Sequence, residues 1–405
     1  MPDFASDLAA RLDQIRGAGL LRQLRRIDVA QAPAVISRGR TLLNFSSNDY
    51  LGLANHDELK QAARRAIEEF GAGAGSSRLI CGSLAPHEEL ETTLAQFKHT
   101  EATLTFSTGY AAAFGTIGAL VGTHDIVILD KLSHACLVDA ARLSGATLRV
   151  FAHNDLADLE QKLAWAQQQV SSDPKNRRVL VVTESVFSMD GDLAPLAELV
   201  ELKQRFGAWL MVDEAHATGL YGLNRSGLAE AAGVSHEIEI QMGTLGKALG
   251  ASGGYIAGSR LLIDFLINKA RSFIFSTAPV PAAAAAAAAG VRLVQSPAGT
   301  QLLSQLWARV TELRAALDLD FPPLPGAIIP LIVGDETRAV ELAAKLAEQG
   351  FLIPAIRYPT VARGKARLRV TLSAAHTPGQ VADLATALTA LNLPAPNRNP
   401  NPAPS

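Results

Sequence analysis

Lys247 is the residue whose surroundings most directly suggest a reaction. It lies in the stretch GTLGKALG (243–250), between Gly246 and Gly250. Glycines lack a Cβ, so the backbone on either side can approach a flat ligand closely. A neutral lysine amine forms Schiff bases with carbonyl compounds. The pattern therefore favours carbonyl chemistry at Lys247, and a solvated surface lysine is the alternative.

Asp213 and His216 add a carboxylate and an imidazole. They follow the apolar run at 208–212 and lie three residues apart. Ligands of open α/β sheets bind beyond the carboxyl ends of the strands, so both side chains can face such a crevice. The alternative is a turn that begins at Asp213 and a helix that His216 caps.

Two further apolar runs end in polar groups. The stretch Ser107–Tyr110 (STGY) separates one run from an alanine-rich helical pattern, and hydroxyls with backbone N–H groups at a helix start can bind phosphate. His134 follows the run at 126–130 and can lie flat on an aromatic ring. An ordinary helix cap explains either feature alone. Together, these positions predict a phosphate site, a Schiff-base lysine, an acid and a ring-stacking histidine along one sheet.

The glycine-rich stretch 71–75 (GAGAG) is not expected to bind a dinucleotide. That fingerprint follows a strand and opens a helix, but here a helical pattern at 59–70 precedes it and Arg78 occupies the position of the third glycine. The glycines more simply let the backbone pass close to a ligand or another chain. Cys81 and Cys136 lie in no Cys-x-x-Cys or Cys/His cluster, so we expect neither a disulfide framework nor a metal site.

The elements that must position these residues form an α/β pattern. From about residue 51 to residue 290, short apolar runs alternate with longer helical patterns, as in a mostly parallel sheet covered on both faces. The predicted strands are 102–107, 125–130, 147–151, 178–183 and 208–213, and the predicted helices are 110–121, 133–143, 155–169 and 195–205. The alanine run Ala282–Ala289 predicts a closely packed helix, because alanine is the strongest helix former.

The two ends of the chain differ from this central part in their pattern of predicted helices and strands. Residues 1–25 have an amphipathic helical pattern, and a strand is expected at 41–45. The sequence after Phe321 predicts strands at 328–333, 351–356 and 366–372, with helices at 337–350 and 380–391. We therefore divide the chain into an N-terminal helix and strand segment (1–50), a large domain (51–290), a small C-terminal α+β domain (291–395) and a disordered tail (396–405).

Composition argues against several classes of partner. The 405 residues contain 37 Lys plus Arg against 39 Asp plus Glu, a formal net charge of −2. A chain with this balance lacks the excess of positive charge that attracts nucleic acids and anionic membranes. The N-terminal sequence lacks the apolar core of a signal peptide, and the most apolar stretch, 278–291, is too short to span a bilayer. We expect a cytoplasmic enzyme.

In their order and spacing, the motifs of this chain resemble those of the α-oxoamine synthases, a branch of the fold-type-I pyridoxal 5′-phosphate (PLP) enzymes. The resemblance extends over nearly the whole chain. It is carried by NFSSNDYLGLA (44–54), STGYAA (107–112), TESVFSMDGD (183–192), DEAHATGLYG (213–222), GTLGKALGASGG (243–254), FIFSTAP (273–279) and RYPTV…ARLRVTLSAAHT (357–377). It implies a large domain with a mostly parallel seven-stranded sheet, a small α+β C-terminal domain, PLP as cofactor and a homodimer.

The resemblance also implies a role for each candidate residue. Lys247 would hold the cofactor as a Schiff base and later act as a base, Asp213 would pair with the ring nitrogen, and His134 would stack on the ring and contact substrate. His216 would hydrogen-bond the phenolic oxygen of the ring, and Ser188 would do the same. The remaining assignments are Gly109, Tyr110 and Thr244 for the phosphate and its surroundings, Ser276 for the phosphate from the partner subunit, and Arg22, Arg357 and Thr360 for substrate.

The reaction implied is a decarboxylative condensation of an amino acid with an acyl thioester. The branch that the chain most resembles joins L-alanine to a pimeloyl group, carried on coenzyme A or on acyl carrier protein. Glycine C-acetyltransferase and 5-aminolevulinate synthase, which use glycine, are the alternatives. Tyr358, Arg225 and Ser77 depart from the favoured branch, and they leave the choice between alanine and glycine open.

Overall fold

The computed structural model describes residues 3–172 and 178–391, and the chain divides into two compact units. Among the described residues, the larger unit comprises 48–172, 178–188 and 192–304. The smaller unit comprises the described residues 3–47, 189–191 and 305–391. The N-terminal segment is thus grouped with the C-terminal residues, whereas the sequence suggested a separate segment ending at residue 50.

Strands and α-helices alternate through most of the chain. The strands are β1 (Ala34–Ser37), β2 (Arg40–Asn44), β3 (Ala102–Phe106), β4 (Ile126–Asp130), β5 (Thr147–Phe151), β6 (Val179–Glu184), β7 (Trp209–Asp213), β8 (Ile240–Thr244), β9 (Gly254–Gly258), β10 (Ile328–Gly334), β11 (Phe351–Leu352), β12 (Ala355–Ile356) and β13 (Ala366–Thr371). The α-helices are α1 (Phe4–Gly17), α2 (Asp57–Phe70), α3 (Ala85–Lys98), α4 (Gly109–Leu120), α5 (Ala135–Leu143), α6 (Leu156–Ser172), α7 (Leu196–Phe206), α8 (Leu228–Ala231), α9 (Arg260–Lys269), α10 (Arg271–Ile274), α11 (Pro281–Gln295), α12 (Pro297–Ala316), α13 (Glu336–Glu348) and α14 (Pro378–Ala390).

The larger unit is built on a sheet whose seven strands, within the described residues, follow the order β3-β9-β8-β7-β6-β4-β5. Strands β4 to β8 pair with one another in parallel, and β9 runs antiparallel to both of its neighbours. Every residue of β3, β4 and β9 is buried. Strands covered on both faces contain continuous apolar runs, which is why the sequence predicts them well. The predicted mostly parallel sheet is confirmed.

Strands β8 and β9 are not among the predicted strands. Their sequences, IQMGT and GYIAG, are interrupted by a glutamine and by glycines, which weaken the apolar pattern of a strand. A Cβ on Gly243 would come 2.4 Å from the Oη atom of Tyr255, so the glycine makes room for that ring. Pairing with neighbouring strands, rather than local sequence, defines these two strands.

The alanine-rich helix α11 is closely packed, as predicted. Ala284, Ala287 and Ala288 are buried in it. A Cβ on Gly290 would lie 2.3 Å from the backbone oxygen of Leu249, so the helix backbone lies directly against that segment.

The smaller unit contains two three-stranded sheets among the described residues, β1-β2-β11 and β10-β13-β12. Strand β2 pairs in parallel with β11, which joins the N-terminal segment to residues near 351. The single strand predicted at 351–356 is wrong: β11 and β12 belong to different sheets. Pro354 lies between them, and proline cannot donate to a strand ladder.

Helix α1 is shorter than the 25-residue pattern predicted. It ends at Gly17, and Gly19 has a φ of +68°, a left-handed conformation that stops a helix. Its apolar side chains, such as Phe4 (80% exposed) and Leu12 (49% exposed), face solvent.

No helix among the described residues is both long and apolar enough to cross a membrane. The tail predicted to be disordered, 396–405, lies outside the described residues.

Candidate active site

A cavity of about 300 Å³ lies at the carboxyl ends of β3, β4, β6, β7 and β8 in the larger unit. These strands all run in one direction, so the residues that follow them meet at one edge of the sheet. Seven of the candidate residues line the cavity: Gly109, Tyr110, His134, Asp213, His216, Thr244 and Lys247. The structure therefore brings together groups that are spread over more than 130 residues of sequence.

Asp213 is the last residue of β7 and is only 5% exposed. Its Oδ1 atom accepts a hydrogen bond from the backbone N–H of Ala215 at 2.9 Å. Burial raises the pKa of Asp213, and the nearby charge of Lys247 opposes this rise. A cationic partner, such as a protonated pyridine nitrogen, stabilises the charged form of a buried carboxylate.

Glu184 is a second buried carboxyl group on the cavity wall, and it is missing from the sequence-based candidates. It ends β6 and is paired in register with Asp213 of β7. One carboxylate oxygen accepts a hydrogen bond from the backbone N–H of His134. Burial, followed by the charge of Asp213, raises the pKa of Glu184 well above its usual value. The rule that identified Asp213, an acid directly after an apolar strand, would also have found Glu184.

His134 is the N-cap residue of α5 and presents a neutral imidazole to the cavity. Its Nδ1 atom accepts the backbone N–H of Cys136 at 3.2 Å and lies 3.1 Å from the sulfur of that residue. Burial lowers the pKa of His134, which favours the neutral ring with its proton on Nε2. Burial also raises the pKa of the Cys136 thiol, which keeps it protonated. A neutral ring can lie against an aromatic cofactor.

Lys247 lies on the turn after β8 and is half-buried in the cavity wall. The sequence attributed both flanking glycines to ligand approach, and of the two only Gly246 is among the described residues that line the cavity. Gly250 has a φ of +67°, and a Cβ there would lie 2.5 Å from the Cβ of Leu53. This glycine is required by packing against the chain at 53–54. A Cβ on Gly246 would lie 3.5 Å from the oxygen of Ala251, an ordinary contact.

Helix α4 begins at Gly109, on the cavity wall. Thr108 caps the helix through its Oγ1 atom, which accepts the backbone N–H of Ala111 at 3.0 Å. A Cβ on Gly254 of β9 would lie 2.6 Å from the Cα of Gly109, so β9 and the helix start are in direct contact. The first turn of a helix offers N–H groups and a positive dipole end to an anion. The side chain of Tyr110, 48% exposed, donates a hydrogen bond from its hydroxyl to Asp139 at 2.7 Å.

His216 is buried, and its Nδ1 atom lies 2.5 Å from the Oη atom of Tyr50. The two rings meet edge to face with their centroids 6.0 Å apart. Oη of Tyr50 also lies 3.4 Å from Oδ1 of Asn48, a residue of the cavity wall. Asn48 and Tyr50 belong to the motif at 44–54, which carried the resemblance but yielded no candidate.

Ser188 and Ser276 belong to the larger unit, but neither is among the described residues that line the cavity. Ser188 is buried after β6, and Ser276 is half-buried after α10. Ser276 directly precedes Thr277, which forms an isolated β-bridge with Ser77. Their proposed contacts with the cofactor stay predictions.

Arg22, Arg357 and Thr360 lie close together in the smaller unit. Nη2 of Arg22 is 3.5 Å from Oγ1 of Thr360. Arg357 donates hydrogen bonds from Nη1 to the backbone oxygen of Gly19 at 2.6 Å and from Nη2 to that of Leu21 at 2.9 Å. Three of the four residues predicted to bind substrate thus form one group with the N-terminal segment.

The groups on the cavity wall fit PLP. A buried acid with a raised pKa suits the pyridine nitrogen, a neutral imidazole suits the ring face, a helix start suits the phosphate, and a lysine suits the aldehyde. Within the described residues, no group of three or more His, Cys, Asp or Glu side chains is arranged to hold a metal ion.

Comparisons with known proteins agree with this fit. The family model for aminotransferase class I and II matches residues 40–388. Relatives named 8-amino-7-oxononanoate synthase include that of Anaeromyxobacter sp. (strain K), 47% identical over 98% of each chain, and that of Geobacter sulfurreducens, 46% identical over 91% of this chain and 93% of the relative.

Two solved structures extend the comparison. Serine palmitoyltransferase from S. paucimobilis, with a bound PLP–myriocin aldimine, superposes with a TM-score of 0.88 at 29% identity, covering 96% of this chain and 98% of the other. The 8-amino-7-oxononanoate synthase of Francisella tularensis has a TM-score of 0.71 at 26% identity, covering 86% and 98%.

Proposed function

The chain belongs to the class I and II aminotransferase family, and we propose that this PLP enzyme condenses L-alanine with a pimeloyl thioester. The products would be 8-amino-7-oxononanoate, CO2 and the free thiol, a step of biotin biosynthesis. The observation that carries the proposal is the single cavity that joins Lys247, Asp213 and His134 to the start of α4. Relatives named for this activity, at 47% and 46% identity, support the choice of substrates.

Four groups of the cavity wall bind and orient the cofactor. When bound, PLP supplies an aldehyde that couples to amines and a ring that accepts electrons from the α-carbon. Asp213 would pair with the ring nitrogen, and His134 would cover one face of the ring and exclude water from it. His216 would donate a hydrogen bond to the phenolic oxygen. The start of α4, with Thr244 beside it, binds the phosphate.

Lys247 moves the proton in this scheme. Its amine takes the proton from the α-carbon of alanine, and the lysine later returns a proton to the α-carbon of the product. General acid–base catalysis by a positioned side chain contributes about 10²- to 10⁴-fold to a rate. Loss of the amine would remove both this contribution and the covalent attachment of the cofactor.

Arg357 binds the carboxylate of the amino acid. A guanidinium forms two parallel, charge-assisted hydrogen bonds with a carboxylate. The backbone oxygens of Gly19 and Leu21 accept two of its N–H groups and hold it in place. A guanidinium carries about five N–H donors, so the others are available to substrate.

The active unit would be a homodimer in the cytoplasm. Ser276 lies outside the cavity lining of its own chain and would reach the phosphate of the partner's site. The adjacent Phe275 is 70% exposed, which suits a surface that a second copy covers. Sedimentation of the holoenzyme during turnover measures this, and a fully active monomer would contradict it.

The activity is tested by product mass spectrometry with thiol and CO2 release. L-Alanine and glycine would each be offered with pimeloyl, acetyl and longer acyl thioesters. We expect the highest kcat/KM for L-alanine with the pimeloyl thioester, with one thiol and one CO2 released per product. A preference for glycine with a short acyl group would instead indicate one of the alternatives, glycine C-acetyltransferase or 5-aminolevulinate synthase.

Two lysine variants control for the role of the cofactor. Lys247→Ala should abolish turnover and the adduct that borohydride traps, and should keep the circular dichroism of the fold. Lys162→Ala, on the surface of α6, should keep both turnover and adduct. Turnover by the Lys247→Ala enzyme would exclude the proposed mechanism.

A further inference from the structure

His153 lies between two carboxylates from distant parts of the chain. Its Nδ1 atom is 3.0 Å from Oδ1 of Asp130, the last residue of β4, and its Nε2 atom is 2.6 Å from Oδ2 of Asp192, which follows β6. The side chain of Asp130 is 0% exposed and that of His153 is 22% exposed. We call these three side chains the His153 bridge, and all of them belong to the larger unit.

The geometry places a positive charge at the centre of the His153 bridge. A neutral imidazole has one N–H group and can donate to only one carboxylate, whereas an imidazolium donates from both ring nitrogens. Two carboxylate acceptors therefore favour the imidazolium. Burial alone would lower the pKa of His153, but the hydrogen bonds to Asp130 and Asp192 outweigh burial and raise the pKa to about 10. His153 is therefore charged at neutral pH.

Asn154 connects the same two carboxylates a second time. Its backbone N–H donates to Oδ2 of Asp130 at 3.0 Å, and its side-chain Nδ2 atom donates to Oδ2 of Asp192 at 3.2 Å. The Nδ2 atom also donates to the backbone oxygen of Leu193 at 3.1 Å. Loss of the imidazolium charge would leave these bonds in place, so we do not expect it to unfold this region.

At one end, the His153 bridge holds the turn that carries His134, which we call the His134 turn (130–134). The carboxylate of Asp130 also accepts the backbone N–H of Leu132 at 2.8 Å. The turn ends at His134, whose side chain lies on the cavity wall. The position of the Asp130 carboxylate therefore influences how the imidazole of His134 enters the cavity.

At the other end, the His153 bridge holds a hairpin that carries Ser188. We call this part of the larger unit the Ser188 hairpin: residues 185–188 and 192–194. The backbone N–H of Phe187 donates to the backbone oxygen of Asp192 at 3.0 Å and closes the hairpin. The ring of Phe187, 1% exposed, packs edge to face with that of His153, with the centroids 4.3 Å apart. His153 thus contacts the residue directly before Ser188.

We propose that His153 is a positioning residue for the cofactor: its two charge-assisted hydrogen bonds fix the Ser188 hairpin relative to the His134 turn. This inference rests on the proposed roles of His134 and Ser188 at the cofactor ring. Charge-assisted hydrogen bonds are about twice as strong as neutral ones. Without the imidazolium, the carboxylates of Asp130 and Asp192 would repel each other and move the two segments apart.

The first test measures PLP binding to the apoprotein of His153→Gln, in which the side chain still forms hydrogen bonds but carries no charge. We expect the Kd for PLP to rise about tenfold at neutral pH, because a charge-assisted hydrogen bond is lost. The absorption band of the bound cofactor should also change its pH dependence. His124→Gln is the control, because His124 is exposed on the turn before β4. An unchanged Kd and spectrum in His153→Gln would overturn the positioning role, even if stability fell.

A double-mutant cycle tests whether the bridge acts as a unit. Asp192→Asn removes the charge at the hairpin end, where the side chain is 40% exposed. This variant should also raise the Kd for PLP. In the His153→Gln background, Asp192→Asn should have little further effect, because the interaction it removes is already lost. Additive effects of the two changes on the Kd would contradict the proposal.

The pH dependence of stability is a readout that needs no cofactor. The folded-state pKa of about 10 lies above the usual 6.5, so the charge of His153 stabilises the fold fully below about pH 6.5 and progressively less toward pH 10. The charged groups that face it are Asp130 and Asp192, and Asp158 of α6 accepts the backbone N–H of Ala152 next to it. In urea unfolding of the apoprotein, the stability lost in His153→Gln should be largest near about pH 6 and shrink toward pH 10. A loss independent of pH would contradict a charged bridge.

Product assays separate this inference from the proposed function. If the wild-type enzyme does not join alanine to a pimeloyl thioester but His153→Gln raises the Kd for PLP, only the proposed function is wrong. If the wild type forms the product and His153→Gln binds PLP as the wild type does, only the positioning role is wrong. His124→Gln should match the wild type in both measurements.

Discussion

The hydroxyl of Tyr50 lies 2.5 Å from Nδ1 of His216, and both side chains are buried in the larger unit. If the hydroxyl donates this bond, the imidazole proton is on Nε2. His216 would then donate from Nε2 to the cofactor, so the hydrogen bond from Tyr50 sets the tautomer that the proposed role needs.

Tyr50→Phe should therefore keep PLP bound and lower kcat by about fivefold, the equivalent of the roughly 1 kcal/mol that one hydrogen bond contributes. The absorption band of the bound cofactor should also change its pH dependence. Tyr255→Phe is the matched control, because Tyr255 is equally buried and its hydroxyl lies 2.9 Å from Oγ1 of Thr218. A cofactor spectrum unchanged in the Tyr50 variant would show that the tyrosine does not act through His216.

Glu184→Gln should change how the stability of the apoprotein depends on pH. Burial raises the pKa of Glu184 above 4.5, so above pH 4.5 the folded state holds a proton that the unfolded state has lost. In that window the free energy of unfolding falls as pH rises. The glutamine variant lacks this contribution, so its stability should fall less between pH 5 and pH 8.

Urea unfolding of the apoprotein at several pH values measures this difference. Glu89→Gln is the control, because Glu89 is 56% exposed and forms only a surface ion pair with Arg292. Parallel pH profiles for wild type and Glu184→Gln would contradict the prediction.

Gly254→Ala should raise the Kd for PLP at least about tenfold. A tenfold rise corresponds to a loss of roughly 1.4 kcal/mol of binding free energy. The Cβ of the alanine would lie 2.6 Å from the backbone of Gly109, which must then shift the start of α4. Titration of the apoprotein with PLP gives the Kd, and circular dichroism checks the fold. The control is Gly118→Ala, within α4 itself, whose Cβ would meet nothing within 4 Å and which should leave the Kd unchanged. Equal Kd values for the two variants would contradict the proposal that the start of α4 binds the phosphate.

Lys98→Met should lower the free energy of unfolding by about 3–5 kcal/mol, the usual cost of leaving one partner of a buried ion pair alone. Lys98 and Glu214 are 1% and 0% exposed, and the lysine ammonium also donates to the oxygen of Ser226 at 2.7 Å. Urea unfolding measures the change. Lys162→Met breaks a more exposed pair with Asp158 and should cost less than about 1 kcal/mol. Adding Glu214→Gln to Lys98→Met should restore part of the loss, and its failure to do so would contradict the buried-charge explanation.

The sequence alone determined the features that depend on local pattern. Strands β3, β4, β6 and β7 are almost entirely buried, so their apolar runs and the polar residues that follow them can be recognised in the sequence. Lys247, Asp213, His216 and His134 follow from this pattern together with the family motifs, and all four line one cavity. Strands β8 and β9 lack a continuous apolar run, and the sequence did not predict them.

Only the tertiary structure decided which distant residues meet. Glu184 lies beside Asp213 because β6 and β7 pair in register, and Tyr50 meets His216 across 166 residues of sequence. Likewise, Arg357 is held by carbonyls of the N-terminal segment, a contact that no motif encodes. The physical reason is that a parallel sheet gathers the ends of strands that are remote in the chain, and the pairing of those strands sets which side chains touch.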